Sequence, residues 1–266
     1  MDEIQELAVA QMRRSVHMLG SSTEKYRDPT LLRFLIARSM EVEKAAKMFV
    51  QWQKWRASFV PLNYIPDSEV EDELKSEKIY LQGLSRKGHP VLNLWFIYWI
   101  KPLQGLLNHD NNLIDKSFIS SALKKQGFYF LRLVSADFSS FRGKEIGNEK
   151  LIGVLDLKQI SYKNVDARAL ITGFQFLQAY YPERLAKCYI IHMPRFFVTV
   201  WKFVSRFLEK ATLEKIVIVS KEEERREFVR DVGEEALPEE YGGQAKLVLL
   251  QNVVLTPPSG TNSSTS

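Results

Sequence analysis

The sequence predicts an α/β protein, with a helical N-terminal unit packed on a mostly parallel sheet flanked by helices. Three observations carry this. Continuous apolar runs at 91–98, 151–157, 188–192 and 215–219 read as strands buried on both faces, the pattern of a parallel sheet. Segments of helical length separate these runs over about residues 76–250, so each crossover is expected to be right-handed. The first 75 residues show apolar positions at three- and four-residue steps and no strand-like run.

Ile4, Leu7, Ala8, Met12 and Val16 mark the first helix. Asp28-Pro29 opens a second, with Asp28 as N-cap and Pro29 in the first turn, and Leu31, Leu32, Phe34, Leu35 and Ile36 as its apolar content. A third runs from about 41 to 55 on Val42, Ala45, Ala46, Phe49, Trp52 and Trp55. Residues 59–66 hold two prolines and read as a linker. Further helices are expected at 116–137, at 167–180 where Pro182 stops the chain, at 196–208 and at 222–232. Trp52, Trp55, Trp95 and Trp99 read as mostly core. The Pro, Ser, Thr, Gly and Asn of 256–266 read as a disordered tail. The expected units are a helical unit at 1–75, an α/β domain at 76–250 and a tail at 251–266.

With 266 residues, 45% hydrophobic and 26% charged, the chain has ample core material and is not disordered overall. The net charge of +5 is mildly basic and suits an anionic membrane surface or nucleic acid. No nucleic-acid-binding motif or basic stripe stands out, so nucleic acid is not an expected partner. The longest apolar run, 94–100, is far shorter than the roughly 20 residues of a membrane span. The acidic start lacks a signal-peptide pattern, and a cytoplasmic protein is expected.

Catalytic patterns are missing. His17, His89, His109 and His192 show no metal-ligand spacing, and there is no P-loop, GxSxG or GxGxxG. Gly242-Gly243 reads as a turn. Cys188, the lone cysteine, excludes an internal disulfide and reads as a buried structural thiol. His192 reads as packed or hydrogen-bonded. A binding protein without metal or cofactor is the natural reading.

Leu31-Leu32-Arg33-Phe34-Leu35-Ile36-Ala37-Arg38, followed by Trp52-Gln53-Lys54-Trp55-Arg56, resembles the N-terminal helical part of CRAL-TRIO proteins, with Ile36 where the family usually has arginine. Gly88-His89-Pro90-Val91, Leu155-Asp156-Leu157, Tyr180-Tyr181-Pro182-Glu183-Arg184, the strand to His192 and Leu237-Pro238-Glu239-Glu240-Tyr241-Gly242-Gly243 follow in family order. The resemblance covers about 28–250 and is poor at 100–150.

It implies a large apolar lipid pocket closed by a helical gate. The four headgroup residues of the family's phosphatidylinositol-transfer branch fall by position on Arg38, Glu183, Thr212 and Lys215, with all four types kept. Taken singly, each has a structural reading: Arg38 at a helix end, Glu183 capping a turn, Lys215 paired with Glu183. The hydroxyls of the family's phosphatidylcholine site are replaced by Leu151 and Gly153. The helix at 195–210 matches the gate, with Phe196, Phe197, Val200, Trp201, Val204 and Phe207 as gate residues. Arg195, Lys202, Arg206 and Lys210 form its basic stripe, and basic edges with an exposed Trp suit a membrane interface. An ordinary core helix is the alternative.

The resemblance therefore implies a non-enzymatic protein that binds phosphatidylinositol and a second lipid other than phosphatidylcholine. It would exchange them between membranes, with transient membrane association, or present them to a lipid kinase. A carrier of an isoprenoid, sterol or tocopherol-like hydrophobe, and a protein-interaction module, are the alternatives.

Overall fold

The computed structural model describes residues 1–59, 79–95, 150–165 and 167–246, with a few isolated positions besides. The expected helix at 116–137, most of the linker, residues 96–98, Trp99, His109, the Trp95 side chain and the tail lie outside the described residues.

Three helices form the N-terminal unit: α1 (Glu3–Met18), α2 (Asp28–Ala37) and α3 (Val42–Phe59). A capping box starts α1, where the Asp2 carboxylate accepts from the Gln5 N–H at 2.8 Å. Phe49 is fully buried at the centre, with Tyr26, Phe34 and Trp52 rings at 5.1, 5.1 and 5.7 Å. The expected cap of α2 is displaced: Arg27 holds the N-cap position and Asp28 is already helical. The Asp28 carboxylate instead accepts from Arg13, whose guanidinium also binds the carbonyls of Thr23 and Tyr26. That fork ties the connecting loop to α1.

The third helix runs past Trp55 because its last turn has partners. Trp55 stacks on Tyr180 at 4.2 Å, and Phe59 meets Phe176 at 5.8 Å. Both partners lie on α4 (Ala167–Tyr180), so α3 ties the helical unit to the sheet domain.

The sheet order is β1-β2-β3-β4-β5. Strands β2 (Pro90–Trp95), β3 (Leu151–Asp156), β4 (Leu185–Ile191) and β5 (Ile216–Ile218) are parallel, while β1 (Ile79–Leu84) is antiparallel to β2. The edge strand β1 was not expected: Gln82 and Gly83 interrupt its apolar pattern, and Gly83 has a left-handed φ of 92° beside a register shift. Strand β4 begins earlier than its apolar run, because Lys187 faces two carboxylates. Its ammonium lies 2.7 Å from Asp231, which also accepts from the Tyr189 hydroxyl at 2.8 Å.

Alternation along the strands divides the core. Leu155, Cys188 and Ile190 face α4 and α5 (Arg195–Val204). Val91, Ile152, Val154, Tyr189 and Ile191 face the opposite way with Phe228 and Val232. After α5 the chain makes a 3-10 turn, Ser205–Phe207, then the short α6 (Lys210–Leu213), and later α7 (Glu222–Val232). The closing turn needs its glycines: Gly242 has φ 88°, and a Cβ on Gly243 would lie 2.1 Å from the Leu237 carbonyl oxygen. Among the described residues, no helix is long and apolar enough to cross a membrane.

Phe49→Ala is expected to cost about 3–5 kcal/mol, since it removes the hub of a dry aromatic cluster. Urea unfolding followed by tryptophan fluorescence would check this, and a loss well under 1 kcal/mol, on the order of a surface substitution, would contradict it.

Candidate functional site

Neighbouring parallel strands begin side by side, so the residues just before them fall in one row. Lys150 precedes β3, Glu183 lies two residues before β4, and Lys215 precedes β5. The row is tied by main-chain bonds from Leu151 N–H to the Arg184 carbonyl (2.9 Å) and from Cys188 N–H to the Lys215 carbonyl (2.8 Å).

Glu183 follows Pro182, which ends the segment after α4, and it has a left-handed φ of 54°. That conformation is unfavourable for a non-glycine residue and is held here by side-chain contacts. Its side chain is only 11% exposed. Lys215 Nζ donates to both carboxylate oxygens at 3.0 Å, and Lys150 Nζ lies 3.1 Å from Oε2. Burial alone would push the Glu183 carboxyl up. Hydrogen bonds from Lys215 and Lys150, with their charges, outweigh it and hold the group below its ordinary value. Two ammoniums on one carboxylate leave one positive charge in excess.

The buried His89 lies beside Lys150. Burial, followed by the Lys150 charge, lowers the His89 pKa and favours the neutral ring.

Arg38 caps the C-terminal end of α2. Its Nη1 donates to the Ala37 carbonyl at 3.0 Å and to Glu209 Oε1 at 3.2 Å. The Glu209 N–H donates to Gln178 Oε1 at 3.1 Å, which joins this segment to α4. Half-buried Thr212 lies on α6, with its N–H bonded to the Glu209 carbonyl (2.9 Å) and its carbonyl to the Lys215 N–H (3.1 Å). The structure thus brings Glu183 and Lys215 into direct contact. Thr212 joins Lys215 through the main chain, and Arg38 is engaged by Glu209.

Sequence reasoning missed Lys150 and Glu209. Lys150 borders a stretch with little motif content, and its only signal is a lysine at the start of an apolar strand. Glu209 is a single acid closing a basic, aromatic helix.

The helix expected to carry gate residues and a basic stripe is two-sided. Phe197 and Val204 are buried, Phe196 and Val200 half-buried, and Phe203 and Phe207 stand 46% and 44% exposed. Their rings meet edge-on at 5.4 Å. Trp201 is not the exposed aromatic: it is half-buried and meets Phe174 of α4 at 6.2 Å. Arg195, Lys202 and Arg206 are exposed as well.

At the other end of the strands, Asp156 accepts from the Tyr241 hydroxyl (2.8 Å) and the Lys158 N–H (2.8 Å) and meets His192 Nδ1 at 2.9 Å. His192, with φ 53°, fastens the chain just before α5. Cys188 is buried, and burial pushes its thiol up to about 12. Among the described residues, no group of three metal-ligating side chains occurs.

Residues 74–243 match the CRAL/TRIO domain family and residues 5–51 match the CRAL/TRIO N-terminal domain. The CRAL-TRIO domain-containing protein YKL091C of Saccharomyces cerevisiae is 32% identical over 91% of this chain and 79% of its own length. The Sec14 cytosolic factor of Schizosaccharomyces pombe is 26% identical over 92% of this chain and 84% of its own. The phosphatidylinositol/phosphatidylcholine transfer protein SFH12 of Arabidopsis thaliana is 28% identical over 89% of this chain and 43% of its own. The crystal structure of Sfh5 superposes with a TM-score of 0.65 at 14% identity, covering 97% of this chain and 94% of that one, a likeness of fold.

Glu183→Gln is expected to cost about 1–3 kcal/mol near neutral pH, since the buried charge partner of two lysines is lost. A depressed carboxyl stabilises the fold above its ordinary value of 4.5 and loses that contribution as pH falls through its folded value. The stability gap between wild type and variant should therefore be full at about pH 6 and shrink below about 4.5. A gap constant down to about pH 3 would contradict this.

Proposed function

The chain belongs to the CRAL/TRIO family, a family of lipid-binding and transfer proteins, and from that premise we propose that it takes up phosphatidylinositol and exchanges it between membranes. The observation that carries the reading is the contact of Lys215 with Glu183, with Thr212 joined to Lys215 through the main chain and Arg38 held by Glu209 three residues before Thr212. A phosphodiester takes charge-assisted bonds from lysine and arginine. Inositol hydroxyls donate to the Glu183 carboxylate, and the Thr212 hydroxyl both donates and accepts. The incoming headgroup replaces partners these groups now hold, Glu183 for Lys215 and Glu209 for Arg38.

Exchange needs a moving part for a physical reason. Two acyl chains carry roughly 30 methylenes, and at about 0.8 kcal/mol each, release into water costs on the order of 25 kcal/mol. A gate opened at a membrane avoids that cost. Helix α5 with the 3-10 turn that follows it suits the role: Phe203 and Phe207 are exposed beside Lys202 and Arg206, with Arg195 exposed at the helix start, the amphipathic mixture that enters an anionic interface. The reading is of a cytoplasmic protein that meets membranes transiently and releases its lipid to a bilayer or presents it to a lipid kinase. No bond is made or broken, so the chain needs no catalytic group.

The second ligand is a lipid other than phosphatidylcholine. Gly153 shares the sheet face of Cys188, whose Sγ would lie 3.8 Å from an added Cβ, and Leu151 two residues away is buried. Neither offers a hydroxyl on that face.

After incubation with mixed-lipid vesicles, mass spectrometry should find phosphatidylinositol on the protein at near-stoichiometric occupancy, lost on Lys215→Ala. An isoprenoid or sterol in its place, or no lipid, would overturn the assignment. The double variant Leu151→Ser, Gly153→Thr should gain phosphatidylcholine in the same assay, since it restores both hydroxyls and a Cβ at 153 meets its neighbours at ordinary contact distance. No gain would show that these two positions do not decide the second ligand.

A further inference from the structure

Lys150 takes no part in the four-residue headgroup set, yet its ammonium reaches the same carboxylate. We propose that Lys150 is a specificity-determining residue of the headgroup site, selecting anionic phosphodiester headgroups over zwitterionic ones. The proposal rests on the headgroup reading above and adds a charge-reading member to it.

An ammonium carries three N–H donors. Lys215 gives two of them to Glu183, at 3.0 Å each. Lys150 touches one oxygen of Glu183, and its side chain is 31% exposed against 24% for Lys215. Of the two lysines, Lys150 has the greater donor capacity to offer a ligand.

Charge accounting gives the reason for a second lysine. Glu183 with Lys215 alone is a closed, neutral pair. A phosphate could draw Lys215 away only by leaving a nearly buried carboxylate uncompensated, which is strongly unfavourable. With Lys150 present, Glu183 keeps a cation while Lys215 turns to the phosphate. The trio carries one excess positive charge, and a monoanionic diester neutralises it. A zwitterionic headgroup brings its own cation beside two lysines and leaves the excess in place.

The placement of Lys150 is built in. His89, buried before β2, lies beside it, and the Leu151 N–H bond to the Arg184 carbonyl sets the row in which it stands. Two strand starts therefore fix where this ammonium originates.

The test uses the full chain as wild type, Lys150→Gln and Lys150→Arg. Each is incubated with vesicles holding equal amounts of phosphatidylinositol, phosphatidylglycerol and phosphatidylcholine, and bound lipid is read by mass spectrometry. Lys150→Gln should lower the ratio of phosphatidylinositol to phosphatidylcholine by about fivefold or more, and Lys150→Arg should restore it. Any phosphatidylglycerol bound should fall in the same direction, because Lys150 reads charge and not the inositol ring. A ratio unchanged in Lys150→Gln, while wild type binds phosphatidylinositol, overturns this proposal and leaves the headgroup reading standing. A fall in phosphatidylinositol with phosphatidylglycerol unmoved also overturns it. No phosphatidylinositol on wild type overturns the headgroup reading itself. Melting curves show whether each variant folds, and if Lys150→Gln does not, Lys150→Met, which keeps the apolar stem, is measured instead.

Discussion

A carboxylate almost out of contact with water, bound by two ammoniums, organises the edge of the sheet where β3, β4 and β5 begin. An isolated charge in that position would be too costly to keep. The fold therefore has to deliver both lysines to it, from two strand starts well separated in sequence, and it does so by register. Sliding one strand past its neighbour by a residue would turn its apolar side chains to the wrong face and carry the lysine away from Glu183. The same requirement holds Glu183 itself in a backbone conformation that its side chain does not favour.

The segment between His192 and Lys215 is bonded at both ends to different layers. Asp156 holds its beginning to β3 through His192, while Arg38 and Gln178 hold its end to the helical unit and to α4. Between these anchors, α5 contributes Phe197 and Val204 to the core and leaves Phe203 outside, as the 3-10 turn after it leaves Phe207. The Arg38–Glu209 pair is half-exposed and of modest strength in itself. It nonetheless connects a residue of the proposed headgroup site to the end of the proposed gate, so the two act on a common carboxylate.

The apolar runs and the punctuation around them made most of the sheet and helices legible. Pro182 and the periodicity of 167–180 placed α4, and the unbroken apolar run after Lys150 placed β3. Strand β1 was hidden by Gln82 and Gly83, because an edge strand with a bulge has no apolar run to show. The opening of β4 was hidden by Lys187, a charge that reads as exposed until α7 supplies Glu227 and Asp231. Asp28 looked like a cap because local sequence carries no sign of Arg13, which claims its carboxylate from the preceding helix. For the candidate site, Glu183, Thr212, Lys215 and Arg38 were named through resemblance. Lys150 and Glu209 were not, since their roles arise from strand order and helix packing. Which aromatic of α5 faces outward was equally unreadable: Trp201 turns inward only because Phe174 is there to meet it.

The short length of β5 has a further consequence. Strand β5 pairs with β4 through three residues, Ile216–Ile218, and stands at the end of the sheet order opposite β1. An open strand edge is a template on which another chain can add a strand. Here the template is one of the shortest that can form, with Lys215 before it and Lys221 soon after. Among the described residues it completes one side of the core in three residues, and an edge so brief and so positively flanked is a poor template for a further strand.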